Sequence, residues 1–592
     1  MLLKNKNMRR KNLFRNNLEW APILIAAFIS IETKNSNFTN IMFLFLIVLG
    51  YSLKFLGIYL ASTMILFDIV RFAAHFIPNV NVETNIKILL YFLLFTIIKY
   101  TQKKKDPQFI KTITQYWILF IPLLIIAIAP IVLGQRYILE QLFRGYDNVG
   151  HLAMMNSLSS CQEFLTQCLN AKNAIPDTYN QYPQQWHILF TPDSGSDIPI
   201  LFWYWIAITS TLFLSLLIVM KSINFSLQKT QIQPISVFRL FAACSLIIVM
   251  WSAGYVNYVF SIALLIMGFA LCRAQQFSGL ILGTTILGLS IASYTLFIPA
   301  IGIWLIFQLL QCSFLGKKEF ILLLFYTCVF SFYSALTILN STKNGQLNAL
   351  DENSNSWKIT LPVMIIIAMI MFKTSNKMQI GKNSEVYAFL FSSILIQLYL
   401  FFKNQIGGYF LYKNVIVLLV LFLLSNMRSN ILMNSVKSVL RNFRENFTNL
   451  TGYEIQTTIK AKNLKQINRT SAVYTMVVIS VLWAAVPSNA IPSPLRDFAV
   501  RMKTIAVGEM NRSTEILEVV EKTEGSKKPV LYVSSDYYFF TQWIAALNGN
   551  WSSTLQEKID QIVRERGLLG IPDLLDTNPG ISTWKPTQIN HD

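Results

Sequence analysis

Two short polar clusters in the segment 135–198 carry the residues best suited to chemistry. The first runs from Arg144 to His151, and the second runs from Tyr182 to His187. The chain has 4 histidines, and two of them, His151 and His187, lie in these clusters. This concentration of carboxylate, imidazole, guanidinium and aromatic groups predicts a binding or catalytic site.

Asp147 and His151 are four positions apart, so on a helix that begins near Asp147 they share one face. A carboxylate beside an imidazole can accept a proton from a hydroxyl group or bind a divalent cation such as Mg²⁺ or Mn²⁺. The same residues also predict a simple helix cap, in which Asp147 accepts a backbone N–H. His151 has a second interpretation too, as a packing or surface histidine.

The other residues of these clusters suit a sugar phosphate. The Arg144 guanidinium can bind phosphate oxygens in a bidentate fork, although a plain loop charge explains it equally. Trp186 follows a turn at Pro183 and enters an apolar run, where tryptophan is favoured as a membrane-interface anchor. Trp186 and His187 would also form a sugar-binding wall. Both interpretations stay open.

A third cluster runs from Gly407 to Lys413 and combines two glycines with aromatic residues and a lysine. At the level of the lipid headgroups, the Lys413 ammonium would hold a lipid phosphate. The same composition is also typical of an ordinary aromatic belt with a snorkelling lysine.

The elements that must position these clusters are membrane-spanning helices. Of 592 residues, 53% are hydrophobic and only 14% are charged, which is too apolar for a soluble chain. A span needs about 17 to 25 apolar residues, and such runs predict about 13 to 15 spans. The apolar runs lie at 19–33, 38–53, 56–76, 85–100, 115–134, 199–220, 236–253, 256–272, 277–294, 297–313, 319–339, 358–373, 384–402, 409–426 and 472–487.

Basic residues give these spans a direction. If the N-terminus is cytoplasmic, the lysines at 103–105 and the basic segment 427–471 fall inside, as the positive-inside rule requires. The segment 135–198 and the C-terminal tail then fall outside. The net charge of +20 follows from this topology, so we expect no nucleic-acid partner. The sequence predicts a multi-pass protein of the cell membrane with an extracytoplasmic C-terminus.

Three domains are expected. Residues 1–112 form an N-terminal membrane module of about four spans. Residues 113–487 form a membrane domain with the outer loop 135–198 and the cytoplasmic basic loop 427–471, and residues 488–592 form a small soluble unit. In that unit 496–524, 539–547 and 555–566 have helical spacing, and 529–533 is a strand candidate. The fold class is therefore mainly α, a polytopic membrane protein with a small C-terminal α/β extracytoplasmic domain.

Other chemical signatures are absent from the sequence, which has no Walker A loop, dinucleotide fingerprint, zinc-ligand spacing or G-x-S-x-G elbow. Charges inside the spans are scarce. Asp68 and Arg71 are the exceptions, and their spacing predicts that they pair with each other, which argues against an ion-coupled pump. Cys161 and Cys168 either form a disulfide in the outer loop or lie on one helical face.

The chain resembles the GT-C superfamily, whose members transfer sugars from polyprenyl-phosphate donors on the extracytoplasmic face. Tyr146-Asp147-Asn148-Val149-Gly150-His151 with Tyr182-Pro183-Gln184-Gln185-Trp186-His187 is similar to a motif pair of large actinobacterial GT-C-like proteins. Gly408-Tyr409-Phe410-Leu411-Tyr412-Lys413 is similar to the aromatic-lysine motif of actinobacterial arabinosyl- and mannosyltransferases. In that superfamily the aspartate usually follows the first span. Here about five spans precede it, so residues 1–112 are expected to be an added module.

The resemblance implies a glycosyltransferase in which Asp147 is the general base and a polyprenyl-phosphate sugar is the donor. The acceptor would be an envelope glycan, lipid or protein, and a divalent cation (Mg or Mn) held by Asp147 and His151 stays open. The substrate-binding residues would be Arg144, Tyr146, Asn148, His151, Tyr182, Trp186, His187, Tyr409, Tyr412 and Lys413. One alternative is a non-enzymatic transporter or flippase of envelope lipids, and another is a scaffold in an envelope-assembly complex.

Overall fold

The computed structural model describes a large part of the chain. Its continuous segments are 20–75, 81–101, 121–160 without 144 and 146, 185–227 without 194, 234–272 and 277–294. It also describes positions 297, 301, 302, 321, 325, 395, 399, 413, 417, 420 and 421, and the C-terminal segments 511–523, 530–532, 537–548 and 582–584.

The described residues are mainly α-helical, which confirms the fold class predicted from composition and periodicity at that level. The helices before residue 300 are α1 (Trp20–Glu32), α2 (Asn37–Gly50), α3 (Leu53–His75), α4 (Asn81–Thr101), α5 (Ile121–Leu133), α6 (Gln135–Leu142), α7 (Asn148–Ser160), α8 (Gln185–Phe190), α9 (Ile200–Leu227), α10 (Pro234–Ser252), α11 (Val256–Cys272) and α12 (Phe277–Ser293).

Among the described residues, two helical segments are long and apolar enough to cross a membrane. They are Glu83–Thr101 in α4 and Ile200–Ser222 in α9. Shorter apolar helices include Asn37–Gly50, Val256–Cys272 and Ser278–Ser293. Each of these coincides with an apolar run identified in the sequence.

The apolar run 115–134 ends at a glycine. Gly134 has a φ of 101°, a backbone conformation that L side chains rarely adopt, and it separates α5 from the short amphipathic helix α6. Helices α6, α7 and α8 then supply the described part of the segment that was expected to be an outer loop.

The core of the described region is formed by α9, α11 and α12, and every residue of α11 is buried. α11 and α12 approach closely because glycines face the partner helix. A Cβ atom on Gly268 would lie 2.6 Å from Leu287, and one on Gly283 would lie 2.9 Å from the Cys272 nitrogen. Ser261 and Ser290 bridge the same two helices through hydroxyls 3.0 Å apart. Small residues at helix contacts are typical of membrane helix packing.

Polar contacts join α2, α4 and α9 near their first residues, and join α2 and α9 again near their last residues. The first residues of α2 and α4 meet the segment before α9, because the Asp193 carboxylate accepts hydrogen bonds from the Ser36 N–H (2.7 Å) and the Thr84 hydroxyl (2.9 Å). At the opposite ends, Lys221 of α9 donates to the carbonyl of Val48 in α2 (2.7 Å). α2 and α9 therefore run in the same direction.

The C-terminal segments contain α13 (Asn511–Thr523), β1 (Val530–Tyr532), α14 (Tyr537–Asn548) and β2 (Ser582–Trp584). β1 and β2 pair in parallel with Leu531 opposite Thr583. The strand expected at 529–533 and the helix expected at 539–547 are confirmed, and α13 occupies part of 496–524. The helix expected at 555–566 lies outside the described residues.

The C-terminal segments pack on α6 and α7. The Asn156 side-chain amide donates to the carbonyls of Ala546 (3.0 Å) and Leu547 (2.9 Å), and the Ser513 N–H donates to Glu140 (3.1 Å). Phe143 and Trp543 form an edge-to-face pair with ring centroids 5.0 Å apart. These contacts connect the tail to the residues that lead into Asp147.

Candidate functional site

The segment that carries Asp147 is fixed by a close backbone contact. Gly145 packs against Gly254 in the turn between α10 and α11, where a Cβ atom on Gly145 would lie 2.8 Å from the Gly254 Cα. Gly254 itself has a φ of 89°, which favours glycine. α7 begins at Asn148, immediately after Asp147, as the sequence predicted. Asp147 thus occupies the position before the first helical residue.

Asn148 holds the start of α7 in place. Its side-chain amide donates to the Leu142 carbonyl (2.9 Å), and its oxygen accepts from the Tyr204 hydroxyl (3.1 Å). Asn148 is buried, so its contacts in the described structure are structural. The substrate-binding role expected for Asn148 is not visible in these contacts, and its effect on a substrate would be through the position of Asp147.

Asp147 forms an ion pair with Lys413, with the ammonium nitrogen 3.2 Å from a carboxylate oxygen. The two residues come from two different sequence clusters, 266 positions apart. The Lys413 side chain is only 3% exposed, whereas that of Asp147 is 18% exposed. The carboxylate is therefore the part of this pair that reaches the surface.

Three tyrosines surround the Lys413 ammonium and backbone. Its nitrogen lies 3.8 Å from the centroid of the Tyr255 ring and 6.0 Å from that of Tyr294, within the range of a cation–π contact. The Tyr258 hydroxyl donates to the Lys413 carbonyl. Tyr258 and Tyr294 also pack edge to face, with centroids 4.8 Å apart. The aromatic rings thus hold the lysine beside Asp147.

The sequence did not indicate a role for these tyrosines, because each resembles an ordinary aromatic residue at the end of an apolar helix. Tyr255 lies in the turn between α10 and α11, and Tyr294 follows α12 directly. The signal that could have identified them is the alternation of the spans. It assigns both helix ends to the same side as Asp147 and Lys413.

His151 and His187 form a buried pair. The Nδ1 atom of His151 lies 3.0 Å from the Nε2 atom of His187, and the two residues are almost completely inaccessible. Trp186 packs edge to face on both rings, at 5.8 Å from His151 and 4.9 Å from His187. One imidazole must donate and the other must accept in this bond, so at least one ring nitrogen of the pair is unprotonated.

Burial keeps both imidazoles neutral. Burial, together with the positive charge of Lys413, lowers the pKa of His151 to about 3. Burial also holds the pKa of His187 well below its usual value, with His151 contributing. The sequence had Asp147 and His151 interacting across one helical turn. The hydrogen bond between His151 and His187 is a contact that the sequence did not predict.

Trp186 is a core residue. It is buried, and its indole N–H donates to the Thr211 hydroxyl (2.9 Å). Burial contradicts the interpretation of Trp186 as a membrane-interface anchor. Trp186 and the two histidines form one buried aromatic cluster, and this favours a role in positioning over direct contact with a sugar.

Other expected site residues lie outside the described residues. They are Arg144, Tyr146, Tyr182, Tyr409 and Tyr412. The cysteines Cys161 and Cys168 and the side chains of Asp68 and Arg71 also lie outside them. Within the part of the chain that the structure describes, no group of three or more His, Cys, Asp and Glu residues could hold a metal ion.

A second buried charge cluster was not anticipated. Lys87 of α4 lies 2.8 Å from Asp193 and also contacts Glu83, and all three side chains are almost fully buried. The available signal was Lys87 itself, which falls inside the apolar run 85–100. A buried lysine needs carboxylate partners.

The chain was compared with protein-family models, with curated proteins and with solved structures, and none of them matches it.

Proposed function

We propose that the chain is an integral membrane glycosyltransferase that uses a polyprenyl-phosphate sugar as its donor. The single observation that carries this proposal is the Asp147–Lys413 ion pair, which joins a potential base to a potential phosphate ligand at 3.2 Å. A sugar transfer from a lipid phosphate can use both groups. The base takes a proton from the acceptor, and the cation offsets the charge of the leaving phosphate.

In the proposed reaction the hydroxyl oxygen of the acceptor attacks the anomeric carbon of the donor sugar. The bond between that carbon and the phosphate oxygen breaks, and its electron pair leaves with the polyprenyl phosphate. Asp147 receives the hydroxyl proton. Strong acid assistance is unnecessary because the leaving group is already a phosphate, and Lys413 offsets its charge. The reaction as written needs no divalent cation, and it leaves room for one.

The membrane topology proposed for this enzyme has about 13 to 15 spans, a cytoplasmic N-terminus and an extracytoplasmic C-terminus. Supporting it, residues that the span alternation assigns to one side do meet: Asp147 with Lys413, Gly145 with Gly254, and the start of α2 with Asp193. On the other side Lys221 meets Val48. The C-terminal segments contact α6 and α7, as expected if both are extracytoplasmic.

Exposed apolar side chains on the helices give further support. Leu89 of α4 is 68% exposed, Phe28 of α1 is 64% exposed, and Val132 of α5 is 77% exposed. Large apolar surfaces of this kind mark an interaction site or a lipid-facing surface. Lipid is the occupant that fits the apolar composition of these helices.

Asp147→Asn tests the assignment. Purified full-length protein in nanodiscs would be incubated with a panel of polyprenyl-phosphate sugars, and extension of an envelope acceptor would be scored. We expect transfer to fall on the order of 10²- to 10⁴-fold, because the amide cannot accept the proton. Asp197→Asn is the matched control, since Asp197 forms an exposed ion pair with Lys34 away from the site.

Retained transfer in a correctly folded Asp147→Asn protein would remove Asp147 from the mechanism. Loss of transfer in both aspartate variants would show a general effect on folding instead. Melting temperatures of the three proteins separate these outcomes.

A transporter or flippase of envelope lipids is the second candidate, and the buried cluster of Glu83, Lys87 and Asp193 favours it. Ionisable residues inside membrane helices often mark transport pathways. Reconstituted protein that moves a fluorescent lipid phosphate between leaflets without extending any acceptor would select this candidate. Slower lipid movement in Glu83→Gln, together with unchanged movement in Asp147→Asn, would confirm the transporter.

A further inference from the structure

The Tyr294 hydroxyl is a buried hydrogen-bonding group that lacks a hydrogen-bond partner among the described residues. The residue follows α12 and is 4% exposed. Its ring is fixed by Tyr258 and by Phe297, whose centroid lies 5.2 Å away. Buried hydroxyl groups nearly always have a partner, so an unused one beside a functional cluster indicates a ligand that supplies it.

The position of this hydroxyl identifies the kind of ligand. It is close enough to Asp147 for the carboxylate to act on it electrostatically, and the Lys413 ammonium lies 6.0 Å from the Tyr294 ring centroid. A neutral O–H donor and a cation in the same cluster are both suited to an anion. Tetrahedral phosphate fits best, because its oxygens diverge and can accept from two donors at once.

We propose that the Tyr294 hydroxyl and the Lys413 ammonium form a phosphate subsite. Asp147 is paired with Lys413 until a phosphate binds and replaces the carboxylate. That the phosphate belongs to a lipid rests on the proposed function. The exchange makes and breaks only hydrogen bonds and an ion pair. Asp147, which reaches the surface, moves away, and Lys413 turns to the phosphate.

The exchange would also set the order of binding. While Asp147 is paired with Lys413, a carboxylate oxygen is occupied by the ammonium group at 3.2 Å and is not available to an acceptor hydroxyl. When the phosphate of the donor takes over Lys413, the carboxylate is released and can accept a proton. The acceptor hydroxyl is therefore activated only after the donor has bound.

The test measures binding of a short-chain polyprenyl phosphate that carries no sugar. Full-length protein in nanodiscs is used, with Tyr294→Phe as the variant. We expect the affinity to fall roughly ten- to a hundredfold, as for the loss of a hydrogen bond to a charged group. Tyr91→Phe is the matched control, because Tyr91 of α4 is also a buried tyrosine, but its ring packs near Tyr59 and not beside Lys413. It should bind as the unmodified protein does.

Two further ligands separate the sources of the phosphate. Polyprenol without phosphate should not compete, and competition at equal concentration would overturn the subsite. Inorganic phosphate that binds as tightly as the lipid, and loses that affinity in Tyr294→Phe, would support the subsite and identify a free anion as its ligand. Unchanged polyprenyl-phosphate binding in Tyr294→Phe would overturn it.

Asp147→Asn distinguishes this inference from the proposed function. The variant should bind the polyprenyl phosphate at least as tightly as the unmodified protein, because the competing carboxylate is gone. Tyr294-dependent binding without sugar transfer by the unmodified protein would keep the subsite and reject the transferase. Sugar transfer by the unmodified protein, with polyprenyl-phosphate binding unaffected by Tyr294→Phe, would keep the transferase and reject the subsite.

Discussion

At the scale of single residues, the site depends on charges that the fold holds at fixed positions. The sequence identified Asp147, Lys413, His151 and His187 from their types and clustering. Helical spacing relates only residues a few positions apart, so it could not identify Lys413 as the ion-pair partner of Asp147 or His187 as the partner of His151. Asp147 and Lys413 are 266 positions apart, and no periodicity in the sequence predicts a contact over that separation. The partners could be known only from the packing of the helices.

The buried histidines make stability depend on pH. Their pKa values in the folded protein are about 3 for His151 and well below 6.5 for His187, whereas an unfolded histidine titrates near 6.5. Below about pH 6.5 the unfolded chain therefore binds protons that the folded chain does not, so stability is lost as the pH falls. Each histidine that stays neutral in the folded protein contributes roughly 1 kcal/mol per pH unit once the pH is well below 6.5.

We expect His187→Gln to flatten this dependence. The melting temperature of the unmodified protein should fall between pH 7 and pH 5, and that of the variant should fall less, since the amide does not titrate. His591→Gln serves as the control, because His591 is outside the pair. Identical pH profiles for the unmodified protein and His187→Gln would show that the pair does not stay neutral.

At the scale of secondary-structure elements, the apolar runs predicted the helices well. The run 199–220 corresponds to α9, and the run 256–272 corresponds to α11. The apolar composition of the run 85–100 did not indicate the buried charge cluster, although Lys87 lies within that run. Its carboxylate partner Asp193 lies 106 positions away, in the segment before α9. An ion pair of this kind becomes visible only when the ends of α4 and α9 are known to meet.

Lys87→Met should destabilise the protein strongly, because it leaves the buried Glu83 and Asp193 carboxylates without their cation. We expect a loss of about 3–5 kcal/mol in the free energy of unfolding. Lys34→Met is the matched control. Lys34 pairs with Asp197 at the surface, where their side chains are 40% and 55% exposed, and such pairs contribute about 0–1 kcal/mol. Denaturant titration of both variants in detergent measures the difference, and equal losses would contradict a structural role for the cluster.

At the scale of the whole molecule, the C-terminal segments and the helices before Asp147 form one packed assembly. The sequence predicted a strand and helices in the tail from local patterns. It could not predict where they dock, because the contacting residues are far apart in the sequence: Glu140 and Ser513 by 373 positions, and Asn156 and Ala546 by 390. The Phe143–Trp543 ring pair and the hydrogen bonds of Asn156 both belong to this contact. Phe143 lies four positions before Asp147, so movement of the tail would reach the candidate base.

Trp543→Ala should release the tail from α6 and α7. Trp543 is buried, and truncating a buried aromatic side chain costs about 3–5 kcal/mol, which exceeds what the few hydrogen bonds at Asn156 and Ser513 supply. Limited proteolysis should then cleave the C-terminal segments faster than in the unmodified protein. Trp543→Phe is the matched control, because a phenyl ring can still pack edge to face on Phe143. A cleavage rate in Trp543→Ala that equals the rate in Trp543→Phe would show that the docking does not depend on this aromatic pair.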